Sequence, residues 1–183
     1  MSLTLRPIAR ADVHRIHEWA SQESASRYQT WGPNTFAQTE AFVDAAAAAW
    51  FAPDAPARTW CAVLPGQGVV GNGGLTSISP HCQEISYIVH TDLWGRGLAT
   101  EIALLLVEFA FHQPGTERVQ ATCDPRNTAS AAVLTRIGMS YEGTLRHTML
   151  IRDGWRDSRM YSVLTHEWPS DPSRLHRIST EPT

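Results

Sequence analysis

Cysteine is scarce: the 183-residue chain has three, Cys61, Cys82 and Cys123. An odd and widely spaced trio makes neither a disulfide framework nor a C-x-x-C metal site, so a reduced, cytoplasmic chain without a metal is expected. No apolar run approaches the roughly 20 residues of a membrane-crossing helix, and the first residues lack the charged-then-apolar order of an export signal. Net charge is −3 with 18% charged residues, which advertises neither nucleic acid nor an anionic membrane as partner. Two phosphate-binding signatures are missing too. No G-x-x-x-x-G-K-[ST] occurs, and the run Gly95, Gly97, Thr100 breaks the dinucleotide fingerprint G-x-G-x-x-G.

What is present describes one globular domain. The hydrophobic fraction is 43%, and the length suffices for a core without disulfide or metal support. Residues 84–108 organise the rest. A β-rich run with Ile85, Tyr87, Ile88 and Val89 meets a short loop, then a helical stripe of Leu98, Ile102, Leu105 and Phe109, with Glu101 and Glu108 expected on the helix's other face. Gly95 and Gly97 sit where the loop enters the helix, so its first N–H groups stand free, an anion site by geometry and dipole. A plain turn that needs glycine for its shape is the competing reading.

The remaining elements read in order. Residues 3–8 form an edge strand, 11–20 a helix, and 26–36 an irregular segment rich in aromatic rings. A helix is predicted at 39–49, and strands at 59–64 and 69–78 join across Pro65-Gly66-Gln67-Gly68. Gly71, Gly73 and Gly74 in the second of these mark a bulge or a close backbone approach. A strand at 118–123, a helix at 128–137 capped by Asn127, and a hairpin turning at Asp153-Gly154 complete the pattern. The fold class is therefore α/β: one mixed, mostly antiparallel sheet of about seven strands with helices on its faces. Residues 1–168 make the domain, and 169–183, with two further prolines after Pro169, are expected to fray.

Several blocks carry a resemblance. EISYIV followed by WGRGLATE, Asn127-Thr128-Ala129-Ser130 with Gly138-Met139 and Glu142-Gly143, the run DSRMYSVL and the opening LRPIARAD together resemble the GNAT superfamily of acyl-CoA N-acyltransferases, in its RimJ/RimL-like branch. The family pattern Gln/Arg-x-x-Gly-x-Gly/Ala is met at Gly97 and Ala99, with Trp94 in the first place. The resemblance implies a splay between the strands at 84–90 and 118–123, with acetyl-CoA (coenzyme A) bound in the gap as co-substrate. It implies transfer of an acetyl group to a primary amine, either a protein N-terminal α-amine, such as a ribosomal protein's, or a small-molecule amine. The alternative is an acyl-CoA-binding module without turnover, a sensor or partner. A homodimer is left open.

Site residues follow from the same likeness. Trp94, Gly95, Arg96, Gly97, Leu98, Ala99 and Thr100 would hold the diphosphate, and the backbone of Ile88, Val89 and His90 would pair with the amide-rich pantetheine arm. A backbone N–H near Val89 would serve the oxyanion. Asn127 is a coenzyme contact or a helix cap, and Ser130 stands where the branch places a serine near the coenzyme sulfur. Two family acids are missing: the tyrosine position seven residues after Asn127 is Leu134, and the strand carboxylate position is Met149. The catalytic candidates are therefore Ser130 and Glu84, with a solvated strand end as the other reading of Glu84. Tyr28, Trp31, Phe36, Tyr87 and Trp155 would line the acceptor pocket, since aromatic walls suit an ammonium group.

Overall fold

The structure, a computed structural model, describes residues 2–182. The elements run β1 (Thr4–Pro7), α1 (Val13–Ala20), α2 (Glu23–Ser26), α3 (Phe36–Ala48), β2 (Ala57–Leu64), β3 (Gly68–Ser79) and β4 (Cys82–Val89). Then follow α4 (Leu98–Phe111), β5 (Arg118–Cys123), α5 (Thr128–Arg136), β6 (Ser140–Ile151) and β7 (Gly154–Leu164). All seven strands share one sheet in the order β1-β2-β3-β4-β5-β7-β6. Every neighbouring pair is antiparallel except β4 and β5. Among the described residues no helix is long and apolar enough to cross a membrane.

Strand alternation builds two cores. On β2, Trp60 and Ala62 face the core under α4 and α5, while Cys61 faces the other, under α1 and α3 with Ile16, Trp19 and Val43. Helix α4 is apolar nearly all round, with Ile102, Leu105, Leu106 and Val107 at most 1% exposed; such a helix belongs in the centre of a layer. It can press close because β3 carries glycine beneath it. A Cβ on Gly73 would lie 2.9 Å from Ile102 and 3.0 Å from Leu106, nearer than packed carbons come. The close approach expected of this glycine run is real.

The parallel pair is brief. β4 and β5 share only Cys82↔Arg118, Gln83↔Val119 and Glu84↔Gln120. Past that rung β4 stays with β3 as far as Val89, and β5 stays with β7 as far as Cys123. The two halves of the sheet therefore part in the middle, as the resemblance implied, and the gap opens into a cleft.

Two expectations fail at the C-terminal end. Glu108 does not face solvent: it is 0% exposed. Its carboxylate accepts from Trp168 Nε1 (2.9 Å), Ser170 Oγ (2.6 Å) and the Asp171 N–H (2.9 Å), with Arg174 at 3.4 Å. The segment after Pro169, expected to fray, is thereby tied to α4. It goes on to β1, where Ser179 N–H donates to Leu5 O (2.8 Å) and Trp60 Nε1 to Ser179 O (2.9 Å). Arg177 joins Glu101 to the Leu3 carbonyl. A carboxylate can be buried at this depth because donors from the strap replace the water it loses.

Candidate active site

The cleft is a cavity of about 720 Å³ that runs along the parted strands, within the range usual for ligand sites, roughly 300–1,000 Å³. At one end stands the loop before α4. Gly97 is the N-cap in left-handed conformation (φ 78°, ψ 0°) with no side-chain cap, so the first N–H groups of a 14-residue helix are unpartnered and point out along its dipole. Trp94, Gly95, Gly97, Leu98, Ala99 and Thr100 line this end. The Thr100 hydroxyl is buried without a partner. These features fit a diphosphate. Arg96 is exposed and lies outside the lining.

In the middle, Ile88 and Val89 line the cavity and His90 does not. The His90 N–H donates to Val70 O (2.9 Å) and its carbonyl accepts from Leu93 (2.9 Å), so its N–H is spent on β3 and is not free for a ligand. Its ring is packed against Trp19 and faces Glu18 at 3.3 Å. The pairing expected of His90 is corrected on that ground. Val89 alternates with it, turning its backbone toward the cleft, where its carbonyl accepts from Trp94 Nε1 (2.9 Å).

Two hydroxyls meet across the gap. Tyr87 Oη lies 3.0 Å from Ser130 Oγ, and Ser130 N–H donates to the capping Asn127 Oδ1 (3.1 Å). Burial pushes the Tyr87 phenol above its ordinary range, against a smaller opposing effect of Ser130. Tyr87 thus stays protonated at neutral pH. Leu134, at the family's tyrosine position, is 1% exposed and belongs to the core. Cys123 lines the cavity beside this pair, and burial raises its thiol also, which keeps it from serving as a nucleophile. Glu84 occupies the last parallel rung and accepts from Gln120 Nε2 (2.8 Å); alternation sets it on the sheet face opposite Tyr87, and it lines the same cavity between the parted strands.

At the far end Tyr28 and Trp31 line the cavity, with Met149. Trp31 also lines a second cavity of about 610 Å³ on the α1/α3 face, walled by Gln38, Phe42, Asn72, Ser86 and Ile88. Phe36 and Trp155 line neither cavity. The Thr35–Gln38 capping box starts α3 at Phe36, and the ring turns onto His14 and His17. Trp155 is 60% exposed and stacks on His147. Aromatic character marked both residues, and it does not say which way a ring faces.

Sequence reasoning passed over three arginines. Arg152 donates to the carbonyls of Ser26 (2.9 Å), Trp31 (3.0 Å) and Gly32. Arg156 donates to Tyr28 O (2.8 Å), and Arg126 lies over the Tyr28 ring at 5.7 Å while paired with Asp124 and Asp153. Together they hold the loop that carries Tyr28 and Trp31. Each looked like an ordinary turn or strand arginine, since its partner lies on the far side of the chain.

The comparisons with known proteins agree with this fold. A profile described as acetyltransferase (GNAT) domain matches residues 2–140. The chain belongs to the GNAT family. YnaD of Bacillus subtilis (strain 168), an uncharacterized N-acetyltransferase, is 32% identical over 88 residues, 48% of this chain and 52% of that protein. The chain spans about half the length of such curated relatives. Spermidine N(1)-acetyltransferase of Escherichia coli (strain K12) aligns over 100% of this chain and 96% of its own at 23% identity. The crystal structure of a GNAT-family acetyltransferase from Bacillus anthracis superposes with a TM-score of 0.80 at 26% identity, covering 91% of this chain and 97% of that one. In this GNAT domain the parted strands and the loop before α4 bound one part of the cleft, and Tyr28, Trp31, Arg126 and Arg156 bound another.

Proposed function

We propose that this protein transfers an acetyl group from acetyl-CoA to a primary amine, by direct attack while both substrates occupy the cleft. The observation that carries the reading is the Tyr87–Ser130 hydroxyl pair, which shares one cavity with the open N-terminus of α4 and the Tyr28–Trp31 loop. The amine nitrogen bonds to the thioester carbon as the C–S bond breaks. The departing thiolate, with a thiol pKa of about 8.5, needs only a weak acid. Ser130 supplies that proton and recovers one from Tyr87, which regains its own from solvent while Glu84 releases the amine's proton to solvent. The Val89 N–H faces the developing oxyanion, and Glu84 takes up the amine's proton through water.

The acceptor is an α-amine of the kind a RimJ/RimL-like enzyme acetylates, and the reaction takes place in the cytoplasm. An α-amine near pKa 8 is roughly 10% neutral at pH 7, against about 0.1% or less for a lysine-type amine. With so few basic groups in the cleft, the more neutral amine is favoured. The test is release of free thiol from acetyl-CoA against a panel of α-amines, lysine-type amines and polyamines. The chain contains no lysine, so it adds no side-chain acceptor to the background. Turnover that is greatest with α-amines is expected. Acetyl-CoA binding with no thiol release from any amine would make the protein a binding module instead.

A further inference from the structure

One buried cation in the cleft has no counter-charge of its own. Arg156 is 7% exposed and lines the cavity at its Tyr28 end. A guanidinium has five N–H donors; Arg156 gives Nη1 to Tyr28 O and Nη2 to Ser158 Oγ (3.0 Å), and its Nε has no partner. Among the described residues it makes no ion pair, although Arg126, Arg152 and Arg156 crowd the same corner. Asp124 is near enough to feel its charge, but that carboxylate is bound to Arg126 at 2.8 Å. A buried charge left in this state is costly unless something completes it.

We propose that the acceptor amine carries a carboxylate, and that this carboxylate seats on Arg156. The inference rests on the acetyl-transfer reading and sets a small amino acid in place of a peptide N-terminus as acceptor, although its amine is less often neutral at pH 7. A planar guanidinium with free N–H groups matches a carboxylate's two oxygens. A monoanion suits the site better than a phosphate dianion, because the Asp124 carboxylate stands close by. The seat shares one cavity with the reacting centre: Arg156, Cys123, Ser130 and Tyr87 all line it. A small amino acid can therefore place its amine by the hydroxyl pair while its carboxylate meets the arginine. A polyamine would set ammonium groups against that guanidinium.

The test compares glycine, β-alanine and γ-aminobutyrate with their primary amides and with spermidine, on the wild-type protein and acetyl-CoA. At least one free acid is expected to exceed its own amide in kcat/KM by tenfold or more, mostly through KM. In Arg156→Gln that ratio should fall toward one whatever the absolute rate, and Arg156→Lys should keep part of it. Amides or spermidine used as well as the free acids by wild type would overturn the seat and leave acetyl transfer standing. If no amine is turned over, the acetyl-transfer reading fails, and calorimetry with coenzyme A present still decides the seat. Binding of a free acid but not its amide sustains it, and equal or absent binding refutes it.

Discussion

Replacing Glu108 by Gln tests the strap most directly. The wild-type carboxylate takes three bonds of 2.6–2.9 Å from Trp168, Ser170 and Asp171. Hydrogen bonds to a charged group are worth about 1.5–3 kcal/mol each, so three give an upper bound of roughly 4.5–9 kcal/mol. The strap can peel away and let its donors find water, which caps the loss nearer the ~3–5 kcal/mol seen when one side of a buried pair is removed. At about 2–4 °C per kcal/mol for a chain of this size, the midpoint should fall by roughly 6–20 °C. Glutamine keeps the shape and one acceptor oxygen, so the lower half of that range applies to it and the upper half to Glu108→Ala. Thermal unfolding gives the magnitude, and hydrogen exchange at Asp171 and Ser179 locates it. A loss under about 1 kcal/mol with both amides still protected would refute the reasoning. The pH dependence has a definite sign. Burial alone pushes the Glu108 carboxyl up, but the bonds from Asp171, Ser170 and Trp168 outweigh it and hold the group below its ordinary range. A depressed folded pKa stabilises fully above the unfolded value, about 4.3, and that stability is lost as pH falls through the folded value. Strap protection should therefore vanish in acid in the wild type and change less with pH in Glu108→Gln.

Four further outcomes are expected. Gly97→Val forces a β-branched residue to φ 78° and covers the helix N-terminus, so acetyl-CoA affinity measured by calorimetry should fall tenfold or more, about 1.4 kcal/mol; unchanged affinity in the folded variant would remove the loop from the site. Ser130→Ala and Tyr87→Phe should each lower kcat, by about 10²-fold for a lost general acid, with KM for acetyl-CoA nearly intact; wild-type turnover in both would assign the proton to water. Glu84→Gln should slow turnover chiefly at low pH, where less amine is neutral, and a flat pH profile of the variant-to-wild-type ratio would dismiss Glu84 as base. Trp31→Ala should raise KM for the amine far more than KM for acetyl-CoA, whereas equal losses would make the ring part of the core.

Much of the fold was legible because its signals are local. The glycine loop before a long apolar stripe, the Asp153-Gly154 turn and the Asn127 cap each state their conformation within a few residues, and β5 falls at Arg118–Cys123 as read. The candidate site was legible where backbone geometry makes it, at the loop and on α5. It was not legible where a side chain's role depends on a remote partner. Glu108 occupies a position that helical spacing assigns to solvent, and its donors lie 60 to 66 residues further on. Arg152 and Arg156 act on carbonyls 120 to 128 residues back. Tyr87 was read as a wall for the acceptor; only the fold shows that its hydroxyl meets Ser130.

The three-residue ladder between β4 and β5 has one more consequence. Where the strands part, each still pairs on its outer side, so the protein keeps two raw sheet edges inside itself. An ordinary exposed edge invites other chains to add a strand, and proteins blunt it with charge, proline or a bulge. Here the facing edge of β4 carries Ile85 and Val89, with none of those devices. The packing of α4 against β4 and of α5 against β5 covers it on one face. The unpaired edge of β4 is thus turned into the cleft instead of outward, so the opening that offers backbone groups to a ligand also hides them from other chains.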